Sequence, residues 1–472
     1  MAPCDAERVA DIKGTSEVRS APPASTAGER YPLSFTQEWF CSLDQGDDGG
    51  AFGRRFIMVY PLRVTGPVDV AVLQGALDDV VERHELLRTL VVRDADPAYQ
   101  VVYPPCPVPL EVRDVPRAAG PSRDAAIGEL AAAAEAGTMS AREVPLLRAQ
   151  LCRFDDRDSV MFLTVHHSAA DGWSTRMVVR DLGAFYAARA AGTAVKLPPV
   201  RQYREYSQWQ RANAVNPAED GSLRYWQDKL RGAREFTIPN DREHPESYTS
   251  PYSWYSHVID AGVTVRAAAL ATASRSTLFT VLLSACYVLA HAMTGATDLA
   301  IRAFTAGRDE LQFQDTMGLF INLVPFRTEL DGCVSFRDIV LRTRETFLDG
   351  IAHELPVGVI EQAIPDFIKS RDNLRTSQFI LQSSTSQFGD VTFPIAEGAR
   401  DVDKALLKDA EPGDIPSGLV WHQNLMPAGE LSCGVLFNPD EFDKSTVAGW
   451  AADLQRILTG AVGDPDRDWR TL

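Results

Sequence analysis

Cysteine is scarce and unpatterned in this chain of 472 residues: Cys4, Cys41, Cys106, Cys152, Cys286, Cys333 and Cys433 are odd in number and never in C-x-x-C spacing. A disulfide framework or a structural zinc site is therefore not expected, and a reducing, cytoplasmic setting is. Long apolar runs are missing too: none reaches the ~20 residues of a membrane-spanning helix. The N-terminus lacks the charged-then-apolar pattern of a signal peptide. Positive charge is in deficit, with 47 Lys and Arg against 64 Asp and Glu, a formal net charge of −17. Nucleic acid and anionic membranes both need a basic face, so neither is expected as a partner. There is no G-x-S-x-G nucleophile elbow, no H-E-x-x-H pair and no cysteine in a catalytic signature. Those absences argue against an acyl-enzyme mechanism and against a bound metal.

What remains has the composition of an ordinary globular protein, 45% hydrophobic and 24% charged. The length exceeds what one compact core holds, so two lobes are expected. Residues 1–29 are rich in Ala, Ser, Pro and charge and read as a disordered leader. Ser34 with Gln37 is a capping-box pattern that starts a helix. Alternation and helical spacing then give strands at 54–64, 86–92, 99–102, 110–112, 146–154 and 160–165, with helices at 68–84 and 122–137. Gly192 and Pro198-Pro199 mark a linker, which puts an N-terminal lobe at 30–200 and a C-terminal lobe at 201–472. In the second lobe a loop at 239–252 precedes strands at 252–259, 299–304, 376–384, 417–425 and 430–437, and helices at 264–273, 277–293, 335–352 and 443–460. The class is α+β.

One stretch carries chemistry. The apolar run Met161–Val165 is followed by His166-His167-Ser168-Ala169-Ala170-Asp171-Gly172-Trp173-Ser174 and an amphipathic helix. A strand end leading into a helix start is a rigid place from which to present a side chain. Adjacent strand residues point to opposite faces, so the two histidines would not readily chelate one ion. One faces a cleft and can act as general base; the other faces inward. Asp171 would buttress the loop through an arginine, and Gly172 permits close backbone approach or a positive φ.

These residues match the HHxxxDG motif, and the chain resembles the condensation domains of nonribosomal peptide synthetases, within the chloramphenicol-acetyltransferase-like superfamily. The likeness continues in order through Tyr31-Pro32-Leu33-Ser34 with Gln37, Arg83-His84-Glu85-Leu86-Leu87-Arg88-Thr89, Tyr225-Trp226 with Leu230 and Gly232, Ala306-Gly307-Arg308, and Met317–Arg327. It departs at His353-Glu354-Leu355-Pro356-Val357-Gly358, where a Phe-Glu pair is lost, and around Arg371–Arg375. The resemblance implies two chloramphenicol-acetyltransferase-like lobes forming a V with an active-site tunnel between them. It implies His167 as general base, supported by His166, Asp171, Gly172 and Arg308, with Arg302 a poorer partner for Asp171. Trp173, Ser174 and Asn322 become candidates for the tunnel or substrate site.

The function so implied is condensation: an acyl or aminoacyl group passes from a carrier-protein phosphopantetheine thioester to an amine or hydroxyl of a small molecule, forming an amide or ester. No cofactor would be bound. The partners would be a peptidyl or aryl carrier protein and a small acceptor such as a polyketide or enediyne core. No adenylation or carrier module follows, so a free-standing enzyme is expected. Two alternatives stay open: a non-catalytic module that recruits carriers or tailoring enzymes, and an epimerase using Glu310 or Glu329.

Overall fold

The computed structural model describes residues 29–115, 121–214, 219, 221–245, 248–368, 375–385, 392–402, 418–426 and 428–472. The leader therefore lies outside the described residues except at Glu29, where the first strand already begins; residues 371–374 of the second departing segment lie outside them too.

The first half of the chain supplies β1 (Glu29–Pro32), β2 (Ile57–Thr65), β3 (Thr89–Val92), β4 (Tyr99–Val102), β5 (Leu110–Asp114), β6 (Leu147–Asp155) and β7 (Asp158–His166). The second half supplies β8 (Thr237–Pro239), β9 (Ser253–Ile259), β10 (Asp298–Thr305), β11 (Asn322–Glu329), β12 (Thr376–Thr385), β13 (Gly398–Asp401), β14 (Leu419–Leu425) and β15 (Leu431–Phe437). Among the described residues these form a small β1-β4-β3 sheet, a first-lobe sheet ordered β13-β2-β7-β6-β5, and a second-lobe sheet ordered β11-β10-β12-β14-β15-β9 with β8 against β12. The fold is α+β, as expected.

β7 is central in the first sheet, and its side chains alternate between two apolar layers. Met161, Leu163 and Val165 join the core that also takes in Leu73, Leu77 and Val80 from the helix Val70–Arg83 and Val178, Val179 and Leu182 from the helix Gly172–Ala190. Val160 and Phe162 pack with Ile127 and Ala131 of the helix Pro121–Glu135. A strand covered on both faces must be apolar at nearly every position, which is why this one reads as a continuous hydrophobic run. The same period of two sends His166 toward the second layer.

Three features depart from the expectations. The strand read at 86–92 begins only at Thr89, because Glu85–Arg88 coils into a 3₁₀ turn. β11 forms within what was read only as a motif, and pairs along its length with β10 from Asp298↔Glu329 to Thr305↔Asn322. β13 lies in the 201–472 span yet pairs antiparallel with β2, Gly398↔Thr65 to Asp401↔Leu62, in the other lobe. The second half of the chain thus covers an open hydrogen-bonding edge of the first sheet, and a boundary at residue 201 does not separate the lobes. Among the described residues no single helix is long and apolar enough to cross a membrane. Helices Ala261–Ala273 and Leu278–Thr294, apolar together, meet at 105° and contribute to the second lobe's core.

Candidate active site

His166 ends β7 and is fully buried. Its Nε2 lies 3.2 Å from Gly53 O, and its Nδ1 accepts from the Ser168 backbone N–H at 3.1 Å. Those partners assign the proton to Nε2, with Ser168 Oγ, 2.8 Å from Nδ1, donating to the same nitrogen. Burial pushes its pKa down to about 4. A neutral imidazole with both nitrogens engaged holds backbone together and has no free lone pair for a substrate.

His167 follows in the 3₁₀ turn His167–Ala169 and is only partly buried. Its peptide N–H donates to Phe56 O at 2.8 Å, and its ring stacks on the Phe56 ring, centroids 4.5 Å apart and planes 7° from parallel. Nδ1 is enclosed without a hydrogen-bond partner of normal geometry. Burial lowers the pKa, while the carbonyls of His167 itself and of Ala170, and the charge of Asp171, pull the other way. Those carbonyls favour a proton on the ring. Below its lowered pKa the ring is protonated; at neutral pH it is a free base.

Asp171 is 2% exposed and caps the helix Gly172–Ala190, accepting from Ser174 N at 2.8 Å. Its carboxylate also takes Arg308 Nη2 at 3.1 Å on each oxygen and Phe320 N at 3.2 Å. Ser174 Oγ lies 2.7 Å from Asp171 Oδ1 and 2.8 Å from Gly318 O, so its one proton serves either, while it accepts from Gly318 N (2.9 Å) and Arg308 Nη2 (3.1 Å). Arg308 Nη1 donates to Thr316 O at 2.8 Å, and its guanidinium sits 3.9 Å over the Phe320 ring. Asp171, Ser174 and Arg308 therefore form a buried clamp between the histidine loop and the segment Gly307–Phe320. Gly307 makes room for it: φ is +57°, and a Cβ there would stand 1.9 Å from Phe320 O. Arg302, the alternative partner, is instead buried against Glu235 and Glu361.

The other expected residues fall around this clamp. Gly172 is the first helical residue and has no positive φ, so the special-turn role does not hold; an N1 position needs ordinary helical angles. Trp173 is 48% exposed at the seam, its Nε1 donating to Gln314 O at 3.2 Å, and is not an enclosed tunnel wall. Ser174 is fully buried in the clamp. Asn322 donates to Glu354 Oε1 and Leu355 O, both 2.8 Å, and accepts from Val357 N at 2.9 Å, which makes it a brace for the loop that follows the helix Phe336–Ala352. Arg83 and His84 both bind Asp181 of the helix Gly172–Ala190, at 2.7 and 2.9 Å. Glu310 is exposed, and Glu329 is at the opposite end of β11 from Asn322, about 20 Å along the strand at its usual rise.

Two residues escaped the sequence reading. Phe56 belongs to no motif, and nothing in the sequence brings it to His167. Glu354 lies in the segment read as degraded; its Oε1 also accepts from Thr305 Oγ1 at 2.6 Å, and burial raises its pKa. Among the described residues no group of three His, Cys, Asp or Glu side chains is placed to hold a metal ion.

A family model described as "Condensation domain" matches residues 28–472. SgcC5 from Streptomyces globisporus, solved in complex with (R)-(-)-1-(2-naphthyl)-1,2-ethanediol and sucrose, is 34% identical, with a TM-score of 0.86 over 93% of this chain and 100% of that one. The X-domain from teicoplanin biosynthesis is 25% identical, with a TM-score of 0.76 over 95% of this chain and 98% of that one. Chondramide synthase cmdD of Chondromyces crocatus is 32% identical over 467 residues, which is 96% of this chain but 11% of the synthase. The chain thus spans a small part of the curated synthetases it matches.

Proposed function

The chain belongs to the condensation-domain family, and from that premise we propose that it is an acyltransferase that moves an acyl or aminoacyl group from a carrier-bound phosphopantetheine thioester to a hydroxyl or amine of a small molecule. Condensation domains take substrates tethered to carrier proteins and need no cofactor of their own.

The observation that carries the reading is the asymmetry of the two histidines: His166 is fully buried and spent on Gly53 and Ser168, while His167 is only partly buried and its Nδ1 is committed to no hydrogen bond. Nε2 of His167 accepts the proton of the acceptor O–H or N–H as its heteroatom bonds to the thioester carbonyl carbon. The oxyanion so formed collapses, the C–S bond breaks, and the imidazolium returns the proton to the leaving thiolate. Ester or amide, free thiol and neutral His167 result. An alcohol needs this base more than an amine does, because the hydroxyl proton must leave as the bond forms. Asp171 neither accepts nor gives the proton, since its oxygens are committed to the clamp, and acts on His167 only through its charge. Gly172 and Trp173 open a helix, and among the described residues neither N–H has a backbone partner, so both are candidates for stabilising the oxyanion.

The diol bound to SgcC5 supports an aryl vicinal diol as acceptor, hence an ester product. The test is a carrier loaded with an aminoacyl group, offered 1-(2-naphthyl)-1,2-ethanediol and the matching amino alcohol. Product that persists undiminished in His167→Ala would overturn the role given to that residue. Likeness to the teicoplanin X-domain keeps a recruitment role as second reading; carrier binding without turnover across both acceptors would favour it.

A further inference from the structure

We propose that Phe56 is the positioning residue for His167: its ring holds the imidazole plane by stacking and its π face stabilises the imidazolium formed when Nε2 takes the acceptor's proton. The proposal rests on the reading of His167 as base and adds a group that no motif contains.

Three observations carry it. First, the rings are parallel within 7° at 4.5 Å, while the Phe56 carbonyl accepts the His167 peptide N–H at 2.8 Å, so one residue fixes both ring and backbone. Second, Phe56 is itself immobilised. It is 4% exposed, packs on Phe40 at 5.7 Å, and meets His166 edge-on at 6.3 Å. Third, the groups that ordinarily orient and stabilise a catalytic imidazole are engaged elsewhere. Nδ1 of His167 has no properly aligned partner, and Asp171 is taken by Arg308, Ser174 and Phe320. Where a base is normally oriented by a third polar group, here the stack takes that place. A cation within about 6 Å of an aromatic face is attracted by the ring quadrupole, most strongly where water is excluded.

The charged and titratable groups around the pair are few. Asp171 acts on His167 and is countered by Arg308. His166, edge-on to Phe56, has its pKa lowered by burial, with the charges of His167 and Arg93 acting in the same direction. Fluorination of Phe56 also alters its edge contact with His166, so the titration of His166 is followed in the same spectra as the internal control.

The test uses the full chain with 4-fluoro-, then pentafluorophenylalanine at position 56, alongside Phe56→Leu and Phe56→Tyr. Fluorination keeps the ring and reverses its quadrupole in steps. NMR titration of His167 should show its pKa falling along the series by about 0.5–1 unit in total, because the charged form loses its support. The acid limb of kcat/KM should move to lower pH with it. Phe56→Leu should lower kcat about tenfold with KM within a factor of two, and Phe56→Tyr should restore most of it. A His167 pKa that stays constant or rises across the fluorinated series would reduce the stack to packing and overturn the proposal. The titration needs no substrate. It therefore reads the stack even if the transfer reaction proposed above fails, and the near-isosteric series decides the matter even if the leucine variant does not fold.

Discussion

Replacing Arg308 by methionine tests the clamp most directly. The substitution keeps much of the apolar stem and its packing on Phe320 but removes the guanidinium that gives Asp171 two contacts at 3.1 Å and reaches Thr316 O at 2.8 Å. Removing one member of a buried ion pair costs ~3–5 kcal/mol because the other charge is left without compensation. Asp171 retains Ser174 N, Ser174 Oγ and Phe320 N, so the lower end applies, about 3 kcal/mol. The Asp171→Asn, Arg308→Met double variant no longer buries an unpaired charge. It should be more stable than the sum of the two single losses, with a coupling of about 1–2 kcal/mol. Guanidinium unfolding at pH 7, with all four proteins sharing one m-value, measures this cycle. A loss below about 1 kcal/mol in Arg308→Met, or strict additivity in the double variant, would refute the claim that charge pairing holds the histidine loop to the Gly307–Phe320 segment.

Further outcomes follow from the same geometry. The folded pKa of His166, about 4 against an ordinary 6.5, means the unfolded chain binds more protons between those values. Its contribution to stability is complete above pH 6.5 and is lost as pH falls toward 4, by up to roughly 3 kcal/mol; His166→Gln, which cannot titrate, should show a flatter loss of unfolding midpoint across that window. Gly307→Ala, with φ +57° and a Cβ 1.9 Å from Phe320 O, should cost at least about 2 kcal/mol, whereas Gly295→Ala, with φ +70° and open space around it, should cost only about 1 kcal/mol by the same denaturation assay. His167→Ala should lower kcat for an alcohol acceptor by ~10²–10⁴ and for an amine by less, read as product formed per loaded carrier. Because burial lowers the pKa of His167, the acid limb of the wild-type profile should have its midpoint below 6.5.

Much of the site was legible before any coordinates. The continuous apolar run that ends at Val165 reads as a buried strand and is one, with an apolar layer on each face, and the arginine expected to hold Asp171 is Arg308. The ordered motifs name the family, because each is a short run whose residues act together. The readings that failed did so for identifiable reasons. For Gly172 a positive φ was one of two options, and a first helical residue needs only ordinary angles. Trp173 and Ser174 were both read as candidates for the tunnel or substrate site; a helix start splays adjacent residues, and one went to the surface and the other into the clamp.

Sequence alone thus determined the chemistry on offer: which side chains can carry a proton, which helix end is capped, and which strand is buried on both faces. Those properties depend on near neighbours, at spacings of two to four residues. Tertiary structure decided who meets whom. Arg308 reaches Asp171 across 137 residues, β13 crosses into the first sheet to close the edge of β2, and Phe56 arrives under His167 because β2 runs antiparallel to β7 with Ile57 opposite His166. Contacts of that kind follow from register and packing between distant segments, and register is set by the whole core rather than by any run of residues within it.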